Sequence, residues 1–95
     1  MGYQLKKHEP YVITGKEGKE YVIPAQITLN LDGIDIICRF NNSTDELEKI
    51  RICKEFFLHF APELEEEEIG DMEYFKMFLH YTKETLNDPK DLGEN

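Results

Sequence analysis

Ninety-five residues, 40% of them hydrophobic and 12% aromatic, make one domain with a single modest core and leave no material for a second. The 20 acidic against 11 basic residues, a net charge of -9, speak against a duplex-binding protein, because neutralising phosphates takes clustered Lys and Arg. Cys38 and Cys53 stand apart in apolar-rich segments rather than as a CxxC pair, so two reduced thiols in a cytoplasmic setting are expected. No apolar run approaches the roughly 20 residues of a membrane span. The opening MGYQLKKHEP has neither the apolar stretch of a secretory signal nor Ser or Thr at the sixth position, as myristoylation would require.

In chain order, YVITGKEGKEYVI places Tyr11-Val12-Ile13 and Tyr21-Val22-Ile23 on either side of a polar loop with Gly15 and Gly18, which predicts a β-hairpin. Pro24 ends its second strand. The next stretch, ITLNLDGIDIICRF, admits two readings. Apolar residues alternate at Ile27, Leu29 and Leu31, then at Ile34, Ile36, Cys38 and Phe40, with Asp32-Gly33 between as a turn, so local pattern favours a second hairpin. The rival is a helix from about Asn30 that buries Leu31, Ile34, Ile37, Cys38 and Asn41, with Gly33 awkwardly in its first turn.

Ser43 and Glu46 then stand at capping-box spacing, predicting a helix from about Thr44. Its core face should hold Ile50, Cys53, Phe57 and Phe60, widened by Leu47 and Phe56, with Pro62 as its stop. A last helix is predicted from Gly70-Asp71 to residue 86, with a stripe of Met72, Phe75, Leu79 and Leu86 and with Phe78 and Tyr81 beside it. Phe75 is thus expected in the core. The tail NDPKDLGEN is polar, broken by Pro89 and Gly93, and expected to fray. The fold class is therefore α+β: a single domain over 1–86, in which an N-terminal hairpin, or two, packs against two C-terminal helices.

The most conspicuous stretch is PELEEEEIGDMEYF, where Glu63, Glu65 to Glu68, Asp71 and Glu73 occur without Lys, Arg or His. Its spacing is not that of a calcium loop, and His8, His59 and His80 match no zinc-ligand pattern; no metal and no cofactor are expected. Ser43 is the only serine and serves as a cap, both cysteines read as core, and there is no phosphate-binding glycine loop. Nothing assembles a nucleophile with its base, so no catalytic residue is assigned and the chain reads as a non-enzyme. The Glu run reads mainly as a solvated joint between helices that also tunes partner specificity and association rate. The partner-binding set is Glu65, Glu66, Glu67, Glu68, Asp71, Tyr74 and Phe78. The expected partners are proteins with basic or apolar surfaces, not nucleic acid or membrane, and self-association is left open.

GKEYVIPA (18–25), RFNN (39–42) and APELEEEEIGDMEYFKMF (61–78) together resemble small tail assembly chaperones of phages and prophages of Gram-positive bacteria. The resemblance implies a non-enzymatic helper in the host cytoplasm that coats the tape measure protein and recruits tail tube subunits, and whose short form is often extended by a programmed frameshift. One departure stands out: members of that family are more helical at LNLDGIDIICRF. The reading from another class is an acidic decoy, such as an anti-CRISPR or other phage counter-defence protein, that occupies a basic cleft of a host protein.

Overall fold

A computed structural model describes residues 2–86; the tail expected to fray lies outside the described residues. Two antiparallel strands, β1 (Tyr11–Thr14) and β2 (Glu20–Ile23), pair Tyr11 with Ile23, Val12 with Val22, Ile13 with Tyr21 and Thr14 with Glu20. Three α-helices follow: α1 (Leu31–Asn42), α2 (Glu46–Phe60) and α3 (Asp71–Leu86), with 3-10 turns at Gln26–Thr28 and Pro62–Glu67. The class is α+β, and the first hairpin is where the sequence predicts it. Its alternation turns Tyr21 and Ile23 into the core and leaves Val12 and Val22 exposed.

The second hairpin does not form. Residues 31–42 are helical, and the physical reason is visible at both ends. The Asn30 side chain accepts the Gly33 N–H at 2.9 Å and caps the helix, Asp32 lies in the first turn where the dipole favours it, and Asp35 pairs with Arg39 at 3.4 Å one turn on. Gly33 is needed for close approach: a Cβ there would meet the Phe60 ring at 2.8 Å and Leu29 at 3.0 Å. The helical alternative also errs in its phase. The core side of α1 is Gly33 and Ile36, with Ile37 and Phe40 half-buried, whereas Leu31, Ile34, Cys38 and Asn41 face outwards.

Helix α2 starts later than the capping box predicts. Ser43 instead closes α1, its N–H donating to the Arg39 carbonyl at 3.0 Å, and its Oγ accepts the Asp45 N–H at 3.3 Å. Asp45 is the N-cap and accepts the Leu47 N–H at 3.0 Å; Glu46 is then the first helical residue, too early to reach back. Asp45→Ala is expected to destabilise the fold by about 1 kcal/mol, read as a lower melting temperature, and Ser43→Ala by less.

The core is aromatic and lies between α2 and α3 under the hairpin. Phe56 and Phe57 of α2 meet Phe78 and Tyr81 of α3 with ring centroids 5.0–6.4 Å apart, and Phe40 of α1 reaches Phe78 at 4.7 Å. Such tilted and edge-on pairs add to the value of the buried area. Both helices are rotated from their predicted phases. On α2 the buried residues are Ile52, Cys53, Phe56 and Phe57, while Ile50 and Phe60 are half-buried and Leu47 is exposed. Among the described side chains of α3 they are Tyr74, Phe78 and Tyr81; Met72 and Leu79 are exposed, Phe75 is only half-buried, beside Phe40, and the side chain of Leu86 lies outside those described. The Tyr81 hydroxyl donates to the Pro24 carbonyl at 2.6 Å, which lets its ring sit inside with its polar end satisfied.

Candidate functional site

The Glu run is divided by the fold. Pro62–Glu67 forms a 3-10 segment that lies against the hairpin turn, and Glu68, at φ 55°, makes the left-handed step that releases the chain towards α3. Glu67 is inward-directed. Its carboxylate accepts the Lys16 backbone N–H at 3.0 Å and the Tyr21 hydroxyl at 2.7 Å, while the Lys16 ammonium donates to the Glu67 carbonyl at 2.6 Å. Gly15 allows this, since a Cβ there would run into the same carboxylate. The Lys16 N–H, then the Tyr21 hydroxyl, hold the Glu67 carboxyl below its usual range. Glu63 forms a second tie, to Lys19.

Glu65, Glu66 and Glu68 remain in water. Asp71 is exposed at the start of α3 with Lys54 3.5 Å away. The aromatic members of the expected partner-binding set are elsewhere: Tyr74 and Phe78 are each 1% exposed, so they build the core and present nothing to a partner. Burial raises the Tyr74 hydroxyl above its ordinary value. The anticipated site is therefore three different structures: a hairpin anchor, a solvated acidic edge and part of the core.

His59, His80 and Cys53 do not converge. His59 is exposed against Phe60, and His80 hydrogen-bonds through Nδ1 to the Tyr11 hydroxyl at 2.7 Å with Glu84 3.6 Å from its Nε2. Among the described residues no group of three or more His, Cys, Asp or Glu could hold a metal ion. Cys53 is fully buried and burial pushes its thiol up to about 12, whereas Cys38 is exposed. A maleimide at neutral pH should accordingly label Cys38 in the native protein and Cys53 only in denaturant, counted as adducts by intact-mass spectrometry.

The feature that the sequence reading missed is on α1. Leu31 is 82% and Ile34 43% exposed, and with Cys38 they follow the i, i+3, i+7 spacing of one helix face. Leu31 lies about 200° round the helix from Gly33, and Cys38 about 200° from Ile36, on the side away from the core; Ile34 lies on the flank between them and the half-buried Ile37. The stripe is bordered on α1 by Asp32 and Asp35, and the Arg39 guanidinium beyond them is taken up by Asp35 and Glu55. No ion pair engages Asp32 among the described residues. The signal was the alternation itself: apolar residues at every second position make one face of a strand, or two opposite faces of a helix.

A hollow of about 370 Å³ between hairpin turn and helix start is lined by Ile13, Lys16, Leu64, Glu67, Ile69 and Met77 among others; its Glu67 is already engaged by Lys16 and Tyr21. Among the described residues no helix is long and apolar enough to cross a membrane. No protein-family model, curated protein sequence or solved structure matches the chain.

Proposed function

We propose that this protein is a non-enzymatic protein-binding module, and that its working partner is a component of phage tail assembly, in the manner of a chaperone for tape measure and tail tube proteins in the host cytoplasm. The observation that carries the binding reading is the outward apolar stripe of α1, because a helix that already buries Gly33 and Ile36 has no folding use for Leu31 and Ile34 on its far side. The tail-assembly part rests on the sequence resemblance, and the helical state of residues 31–42 removes the departure noted there. The exposed Glu65, Glu66 and Glu68, with the net charge of -9, favour the acidic decoy as second reading, since an acidic edge steers onto a basic cleft.

Co-expression with phage tape measure and tail tube proteins separates the two. The chaperone reading expects a complex that survives size-exclusion chromatography and keeps the tape measure protein soluble. A protein that leaves both partners insoluble, yet blocks nucleic-acid binding by a host nuclease, would be the decoy.

A further inference from the structure

We infer that the outward face of α1 seats a cationic amphipathic helix of the partner protein, an inference that rests on the protein-binding reading above and specifies its surface. The stripe runs from Leu31 to Cys38, two helical turns or about 10 Å, and is a ridge rather than a pocket. A ridge of side chains at helical spacing packs best into the groove between ridges of another helix, which buries it along its length. An extended strand would need an open sheet edge, and α1 offers none.

Charge selects which helix. Along the flank, Asp32 and Asp35 of α1 are followed by Glu55 of α2, which its ion pair with Arg39 brings beside α1. Arg39 is held by Asp35 and Glu55, so it does not offset Asp32. The rim is net acidic, and lysines or arginines flanking the partner's apolar face would be favoured there while acidic helices would be repelled. A second copy would bring the same carboxylates against these and a further charge of -9, which makes it the poorer occupant. Arg39 also joins α1 to α2 through Glu55.

The test uses the full chain and a synthetic helical peptide with leucine on one face and lysine on the other, with a glutamate-for-lysine peptide as control. Amide chemical-shift changes on adding the lysine peptide should centre on Leu31, Ile34 and Cys38. The pair Leu31→Ser with Ile34→Ser should weaken binding about tenfold or more with only a small drop in melting temperature, because Leu31 is largely and Ile34 partly exposed. Asp32→Asn should weaken it at low salt and little at high salt, and the glutamate peptide should not bind. Shifts centred instead on residues 63–68 would overturn the stripe while leaving a protein-binding module. A concentration-dependent dimer abolished by the double substitution would make a second copy the occupant. No binding of either peptide by a monomeric protein would overturn the stripe, while the protein-binding reading stands or falls by the co-expression above.

Discussion

Phe78→Ala is expected to destabilise the protein by about 3–5 kcal/mol, the largest effect of any single substitution named here. Phe78 is almost fully buried and its ring meets those of Phe40, Phe56, Phe57 and Tyr81, so truncation removes a contact from all three helices at once. A domain of this size has a total stability of about 5–14 kcal/mol, and the variant should be largely unfolded at temperatures where the parent is native. Phe75→Ala supplies the contrast. Half-buried and touching Phe40 at 6.3 Å between centroids, it should lose only about 1–2 kcal/mol. Urea denaturation of both variants checks the order; equal losses would mean that the seam between α1 and α3 is as important as the centre.

The four consecutive glutamates should respond unequally to neutralisation. Gln at Glu65, Glu66 and Glu68 should leave the melting temperature unchanged or slightly higher, since it relieves repulsion among solvated like charges. Gln at Glu67 should lower it and expose the Lys16 amide to hydrogen exchange, because a neutral amide is a weaker acceptor for the Lys16 N–H and the Tyr21 hydroxyl. The same tie sets an acid limit. A carboxyl held below its ordinary value near 4.5 contributes stability that is fully present above that value and is lost as pH falls through the lower folded one. Glu63, lowered by Lys19, acts in the same direction. A pH series of melting temperatures should therefore fall below pH about 4.5 in the parent, and less steeply in Glu67→Gln.

Where the sequence was readable, local chemistry and tertiary packing asked for the same thing. The first hairpin has β-branched alternation with glycines in its turn, and Gly70 ahead of Asp71 marks the start of α3, so neither needed knowledge of its neighbours. Residues 27–40 were misread because alternation has two solutions, and what decides between them is an Asn30 cap and a Gly33–Phe60 contact, the second made across helices. The rotation of α3 has a related cause. Phe78 and Tyr81, expected beside the stripe, form its centre, and the Pro24 carbonyl that satisfies the Tyr81 hydroxyl is 57 residues away and invisible to local pattern. As for the candidate site, the acidic residues were visible, but nothing local marks Glu67 as the one that turns inward, since its partners are 46 and 51 residues away.

That separation also bears on the order of folding. The hairpin is joined to the helices by pairs far apart along the chain, Tyr21 with Glu67 and Tyr11 with His80, 46 and 69 residues distant. α1, α2 and α3 meet across short connections, with lower loop-closure entropy. A two-stranded ribbon is marginal by itself, so the helices are expected to form the nucleus and the hairpin to dock after the rate-limiting step. In a chevron plot, Tyr21→Phe and Glu67→Gln should then accelerate unfolding and leave the refolding arm unmoved, whereas Phe57→Leu should slow refolding.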